Sequence, residues 1–394
     1  MIPSLRQSFN AGFTPEKFLQ LGREMASRCG VEIPFRLCET PCFFRKSLLD
    51  ELADAGRELI LQLVNDPQYL ARSNASIPGA FNVPNEPSHP MFIQVDFGLV
   101  KNAAGQLKPK LVELQAFPSL YGYQPVLAQA YIDTFELDAG LRYYLGGHDA
   151  ASYRALLQRA IVGNHAPENV VLMEIHPEQQ KTLPDFLATE NLLGIKTVCI
   201  TKIAKEGNRL FYERDGLRIP IERIYNRTIV DELERENVTL GFDFRDDLDV
   251  EWAGHPNWYF RISKFSIPYL KHESAPKTWF LDRMERVPDD LENYVLKPLY
   301  SFAGLGVKIG PSKQDIDAVP PDKRGDYILQ ERLHFAPVIE TPFGPTKVEL
   351  RMMYVWTEEL QPVLTIARMG RGLMMGVDHN KDMEWVGSSA ALYV

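Results

Sequence analysis

The chain has 394 residues, 45% of them hydrophobic and 24% charged, a composition of the ordinary soluble globular kind with length for two or three structural units. A net charge of −9 and a pI near 5.5 argue against a partner held through nucleic-acid phosphates, and no apolar run approaches membrane-spanning length. The opening Met-Ile-Pro-Ser-Leu-Arg-Gln lacks the apolar core of a signal peptide, and Cys29, Cys38, Cys42 and Cys199 match no zinc spacing. Reduced thiols in a cytoplasmic protein are expected.

Residues 1–90 form a mainly helical N-terminal segment in this reading. Thr14-Pro-Glu-Lys-Phe begins like a helix, with Thr as N-cap and Pro in the first turn. Leu48–Val64 carries apolar residues at helical spacing, and the Pro-, Asn- and Ser-rich stretch 76–90 is a loop. Met91-Phe-Ile-Gln-Val-Asp-Phe and Lys110-Leu-Val-Glu-Leu-Gln then alternate as strands do, with a turn signal around Ala104–Gly105. A hairpin closed there sets Asp96 opposite Glu113 and Gln94 opposite Gln115, all on one face, with Val95, Val112 and Leu114 on the other. Two facing carboxylates repel. A divalent cation would relieve them, and oxygen-only ligands suit Mg²⁺; a plain solvated polar face is the other reading of this hairpin.

Pro125–Leu145 is expected to be helical. Asn169-Val-Val-Leu-Met-Glu-Ile, a helix over Thr182–Leu193 ended by Gly194, and the strand Lys196-Thr-Val-Cys-Ile give a strand–helix–strand order, which predicts a parallel sheet covered by helices. No Gly-x-Gly-x-x-Gly follows the first strand, so a dinucleotide site is unsupported. Asp215-Gly216 marks a hairpin. Arg223-Ile-Tyr-Asn226-Arg227 ends a strand on two polar residues, and strand ends in open α/β sheets face ligand crevices. Asn226 and Arg227 are therefore substrate candidates, with a surface salt bridge or a loop-fixing role as the alternatives.

The densest signals lie in residues 256–394. Tyr294-Val-Leu-Lys297-Pro puts a lysine at the end of an apolar strand, where it must snorkel or find an anion. Ser301-Phe-Ala303-Gly304-Leu-Gly306 follows; glycines there let backbone N–H groups approach an oxyanion. A strand comes next, not a helix, so this is not a P-loop. Tyr327-Ile-Leu-Gln330-Glu331-Arg-Leu333 is an extended segment able to offer a purine a donor–acceptor pair on an apolar bed. Glu349 and Arg351 share one face of the next strand, and Arg368 ends another.

Taken together, Lys264, Val-Leu-Lys297-Pro with its Gly-rich loop, Leu-Gln330-Glu-Arg-Leu, Glu-Leu-Arg351 and Ala-Arg368 resemble the nucleotide-binding half of ATP-grasp enzymes. The acidic strand such enzymes carry last appears instead early, at Asp96…Glu113-Leu-Gln115. The order therefore resembles a circularly permuted ATP-grasp protein, similar to the synthetase domain of glutathionylspermidine synthases, over roughly residues 90–394. The resemblance implies an α/β (α+β) fold with a helical segment over 1–90, a metal-binding hairpin part over 91–145, a strand–helix–strand pre-ATP-grasp domain over 165–250 and a nucleotide-binding part over 256–394.

It also implies roles. Lys264 and Lys297 correspond to the lysines on the ATP phosphates, and Ser301, Ala303, Gly304 and Gly306 to the flap above them. Gln330, Glu331 and Leu333 correspond to the adenine hinge, and Asp96, Glu113 and Gln115 to the Mg²⁺ ligands. Arg368 and Arg351 correspond to the arginines that stabilise the acyl-phosphate and tetrahedral states. Gln115 departs from the family's usual Asn by one methylene. The implied activity is an ATP- and Mg²⁺-dependent ligase joining a small-molecule or peptide carboxylate to an amine. An ATP-grasp phosphotransferase and a non-catalytic nucleotide-binding protein are the alternatives. Residues 1–90 are too short to resemble the amidase half of the glutathionylspermidine enzymes, which makes glutathione and spermidine poor substrate candidates.

Overall fold

The structure is a computed structural model that describes residues 1–300 and 305–394. Helices α1 (Pro3–Gly12) and α2 (Pro15–Cys29) open the chain, and the Thr14 hydroxyl caps α2 by accepting the Lys17 N–H, as its sequence predicts. Strand β1 (Cys42–Phe44), helices α3 (Lys46–Val64) and α4 (Pro67–Ser73), and strands β2 (Phe92–Lys101) and β3 (Leu107–Gln115) follow. Next come α5 (Tyr123–Thr134), α6 (Ala150–Leu157), β4 (Val170–Glu174), α7 (Leu183–Leu193) and β5 (Lys196–Cys199). Strands β6 (Ala204–Glu206), β7 (Arg209–Arg214) and β8 (Leu217–Ile221) form a meander, ahead of β9 (Arg223–Asn226), α8 (Val230–Glu236), β10 (Glu251–Ala253) and α9 (Pro256–Arg261). The rest is β11 (Thr278–Phe280), β12 (Tyr294–Pro298), β13 (Lys308–Ile309), α10 (Lys313–Asp317), β14 (Tyr327–Glu331), β15 (Lys347–Trp356), β16 (Leu360–Gly370) and β17 (Gly387–Tyr393).

A six-stranded sheet, ordered β1-β17-β16-β15-β2-β3, is antiparallel except where β1 runs parallel to β17. It joins the hairpin near the start of the chain to strands at its end through the β2–β15 ladder. The parallel sheet expected around 168–244 is present as β10-β9-β4-β5. A third sheet, β11-β14-β12-β13, is antiparallel. On one face of the large sheet α3 buries Leu49, Leu52, Leu59 and Ile60 against Val95, Leu114 and Leu350. Phe92, Tyr121, Met353 and Ile366 pack with Tyr153, Leu172 and Tyr225 to tie that sheet to the parallel one. Among the described residues no helix is long and apolar enough to cross a membrane.

Two elements differ from the sequence reading. The helix expected over Pro125–Leu145 stops at Thr134. Glu136 turns left-handed at φ 53°, and the Asp138 carboxylate accepts the Gly140 N–H at 2.7 Å; short polar side chains compete with helix in this way. Strand β1 carries only three residues, all buried, too few to show a period.

Helix α3 approaches β15 closely at Gly56. A Cβ there would lie 2.2 Å from the Tyr354 hydroxyl, which donates to the Ala53 carbonyl at 2.7 Å. Gly56→Ala should therefore lower stability by about 1–3 kcal/mol despite the better helix propensity of Ala. Thermal denaturation checks it; a Tm equal to or above wild type would contradict this packing.

Candidate functional site

The hairpin register is the one the spacing predicts. Asp96 pairs with Glu113 and Gln94 with Gln115, around a turn in which Gly105 takes φ 76°, a conformation suited to Gly. One feature was not legible. The register slips between Asp96 and Phe97, so Val112, expected on the apolar face, is the extra residue of a bulge. A bulge leaves its extra residue outside the ladder, and the Val112 carbonyl accepts the Lys297 ammonium at 3.2 Å.

The carboxylates of the hairpin do not face each other bare, as the sequence reading supposed. Strand β15 sets Arg351 directly beside Asp96, and its Nε and Nη2 donate to Oδ1 and Oδ2 at 2.5 and 2.6 Å. Arg368, from β16, donates to Oδ2 as well and lies 2.5 Å from Glu349. The repulsion is relieved by guanidinium groups from two strands that are remote in sequence. Burial alone would raise the Asp96 carboxyl, but Arg351 and Arg368 together hold it below its usual range. Glu349, buried at 6% exposure, goes the other way. Burial pushes it up to about 7, with Asp96 and Glu113 adding to the push and Arg368 opposing it. Sequence reading placed Glu349 beside Arg351 but gave it no role; its partner Arg368 is fixed only by the β15–β16 register.

Glu113 is the half-exposed carboxylate of the group, 3.9 Å from Arg351. Gln115 donates its amide to Gln94 Oε1 at 2.9 Å, which turns its own carbonyl oxygen away from Gln94. The neighbours of Lys297 include Glu113, Lys264, Glu349 and Asp96, and burial pushes its ammonium down to about 8. Lys264 donates to the Pro298 carbonyl at 3.2 Å; burial lowers it, against the pull of Glu113 and Asp231. Asp231, at the start of α8, is a member of this cluster that sequence reading missed.

Strand β14 pairs Ile328 with Lys297 and Gln330 with Val295. Opposed residues share a face, so Gln330 and Lys297 lie on the same side of this sheet. Gln330 is 2% exposed, and among the described residues its Nε2 has no partner. Glu331 is engaged with Lys277, 3.7 Å away, and Leu333 is half-buried just beyond β14. Gly306 takes φ 76° between β12 and β13. Ser301, Ala303 and Gly304 lie outside the described residues.

At the end of β9 the two candidates part company. Asn226 is buried and its side chain accepts the Thr228 N–H at 3.2 Å, the loop-fixing role. Arg227 is not on the surface. It is 2% exposed, 3.6 Å from Asp185 and over the rings of Phe117 and Phe186 at 5.3 Å each. Among the described residues its Nε and Nη1 have no partner. Asp185 in turn accepts N–H groups of Leu120, Gly122 and Tyr123.

The donor set can be weighed against ATP and magnesium. Two lysines at the β12 end and an orphaned amide on the same sheet face suit a nucleotide. Among the described residues no three His, Cys, Asp or Glu side chains are arranged to hold a metal. Mg²⁺ commonly rests on one or two carboxylates plus phosphate oxygens and waters, which the Glu113 and Gln115 oxygens can meet. Asp96 fits less well, since both its oxygens already accept guanidinium N–H groups.

No known family matches this chain by sequence, and no curated protein does. Among solved structures it is similar to a glutathione synthetase-like effector from Globodera pallida, determined in the apo form. The TM-score is 0.62 at 13% identity, over 96% of each chain. The chain thus has a glutathione synthetase-like fold.

The Glu349 carboxyl supplies a test of the cluster. Its folded value lies above the ordinary 4.5, at about 7. Its contribution to stability is therefore full below pH 4.5 and is lost as pH rises through 7. Glu349→Gln should gain stability relative to wild type between pH 5 and 8, on the order of 1–3 kcal/mol. Urea unfolding at both pH values measures it; a difference that does not change with pH would contradict the assignment.

Proposed function

We propose that the chain is an ATP-dependent carboxylate–amine ligase of the circularly permuted ATP-grasp type, acting in the cytoplasm on a small-molecule or peptide carboxylate. The observation that carries this reading is the meeting of Lys264, Lys297, Asp96, Glu113, Glu349, Arg351 and Arg368, drawn from both ends of the chain, in one partly enclosed cluster. Its support is chemical: phosphoryl transfer asks for positioning and charge neutralisation more than for covalent help.

In this reading Lys264 and Lys297 hold the phosphates and Gln330 meets the adenine edge with its open N–H, with Glu331 and Leu333 beside it. Bound magnesium, on Glu113 and Gln115, supplies charge neutralisation at the phosphates. The γ-phosphoryl passes to the substrate carboxylate as ADP departs. The amine then attacks the acyl carbon, losing a proton, and phosphate leaves with the electron pair of the broken C–O bond. Arg368 has a buried Nε–H with no partner among the described residues to offer the developing oxyanion, and Arg351 stands behind it. The open N–H groups of Arg227 suit a substrate carboxylate; Asn226 shapes that strand end.

The test is ADP release when a carboxylate and an amine are supplied together. Release with the carboxylate alone would favour a phosphotransferase, and nucleotide binding without turnover on any pair would favour a non-catalytic protein. Lys297 gives the quantitative check. Lys297→Ala should weaken ATP binding about tenfold or more. In the wild type, affinity should fall as pH rises through about 8, where the ammonium loses its charge, well below the ordinary lysine range. Calorimetry showing unchanged affinity in the variant, or a flat profile to pH 9.5, would remove Lys297 from the site.

A further inference from the structure

The Asp96 carboxylate is 2% exposed and receives three guanidinium N–H bonds. Arg351 supplies two in a fork, at 2.5 and 2.6 Å, and Arg368 the third. Paired N–H bonds of this kind fix the plane of a guanidinium as well as its place. Arg351 is held from a second side, its Nη1 donating to Gln94 Oε1 at 3.1 Å, while Gln94 itself donates to the Ser119 carbonyl at 2.6 Å. Arg368 is held between Asp96 and Glu349. A divalent ion on Asp96 would lie against both guanidinium groups and meet like charge from each. Glu113, on the outer strand and half-exposed, comes no nearer than 3.9 Å to the Arg351 guanidinium and has the ammonium groups of Lys297 and Lys264 among its neighbours.

We propose that Asp96 is a positioning residue: it sets Arg351 and Arg368 as a fixed pair and does not ligate magnesium, which rests on Glu113. The inference builds on the ligase reading, because that reading brings the metal and gives the arginines their substrate. It divides the polar rung of the hairpin in two. Asp96 organises the cations inside the sheet, and Glu113 at the sheet's edge meets the solvent and the metal.

The experiment follows the arginine side-chain N–H resonances of the full-length ¹⁵N-labelled chain, assigned with Arg351→Lys and Arg368→Lys, alone and with Mg²⁺ and AMP-PNP. The expected result is slow solvent exchange for both arginines in the wild type, retained when Mg²⁺ and AMP-PNP bind. Asp96→Asn should speed that exchange about tenfold or more, while Glu113→Gln leaves it slow. Mn²⁺ affinity in the presence of AMP-PNP should drop about tenfold or more in Glu113→Gln and stay within about threefold of wild type in Asp96→Asn. Release of the Arg351 signal when Mg²⁺ binds the wild type would overturn the proposal, and that arm needs no variant to fold. An Mn²⁺ loss in Asp96→Asn as large as in Glu113→Gln would overturn it too. A wild type that binds neither Mn²⁺ nor AMP-PNP removes the ligase reading, and the exchange arm then decides alone: protection unchanged by Asp96→Asn overturns the positioning role, and its loss supports it.

Discussion

Asp96 lies where a strand from the first third of the chain meets one from the last, and the ion pairs it makes there are buried. Removing one partner of such a pair strands the other, at a cost of about 3–5 kcal/mol. Arg351 and Arg368 belong to β15 and β16, so the Asp96 carboxylate is matched only when the β2–β15 ladder forms in its native register. A slip of one residue would send Arg351 to the apolar face among Val95, Leu114 and Leu350. The same contacts that hold the two arginines in the site thus fix the pairing of β2 with β15. Fold and site rest on one interaction.

Charge around this pair is distributed unequally. Asp96 is held ionised by its arginines, Glu349 is pushed toward neutrality by burial, and Lys297 loses part of its grip on a proton. Neighbouring groups with opposed shifts are common where a site must handle changing charge. An arriving polyphosphate would favour the charged forms of Lys297 and Lys264. The bulge at Val112 contributes to this arrangement, because the carbonyl it frees is what holds the Lys297 ammonium.

Much of this was legible in the sequence where a short-range rule governs. Alternation and a Gly turn predict the Asp96–Glu113 rung, a Thr-Pro start predicts α2, and Asp215-Gly216 predicts the β7–β8 hairpin. What was not legible depends on pairing between distant strands. Nothing local says that Arg368 sits opposite Glu349 or that Arg351 sits beside Asp96. A pattern of alternation cannot reveal a bulge, so the place of Val112 outside the ladder was not foreseen. Arg227 was a substrate candidate with a surface salt bridge among its alternatives, and its burial could not be read locally, because the rings of Phe117 and Phe186 that cover it come from a loop and a helix elsewhere in the chain.

The central claim is that one cluster, built from both ends of the chain, holds a nucleotide and its metal. A crystal structure of the chain with AMP-PNP and Mn²⁺, with the metal located by its anomalous scattering, tests it most directly. The account predicts a manganese peak at coordinating distance from Glu113, phosphates between Lys264 and Lys297, and the adenine against Gln330. A nucleotide bound away from Lys297, or a metal with no contact to the β2–β3 hairpin, would contradict it.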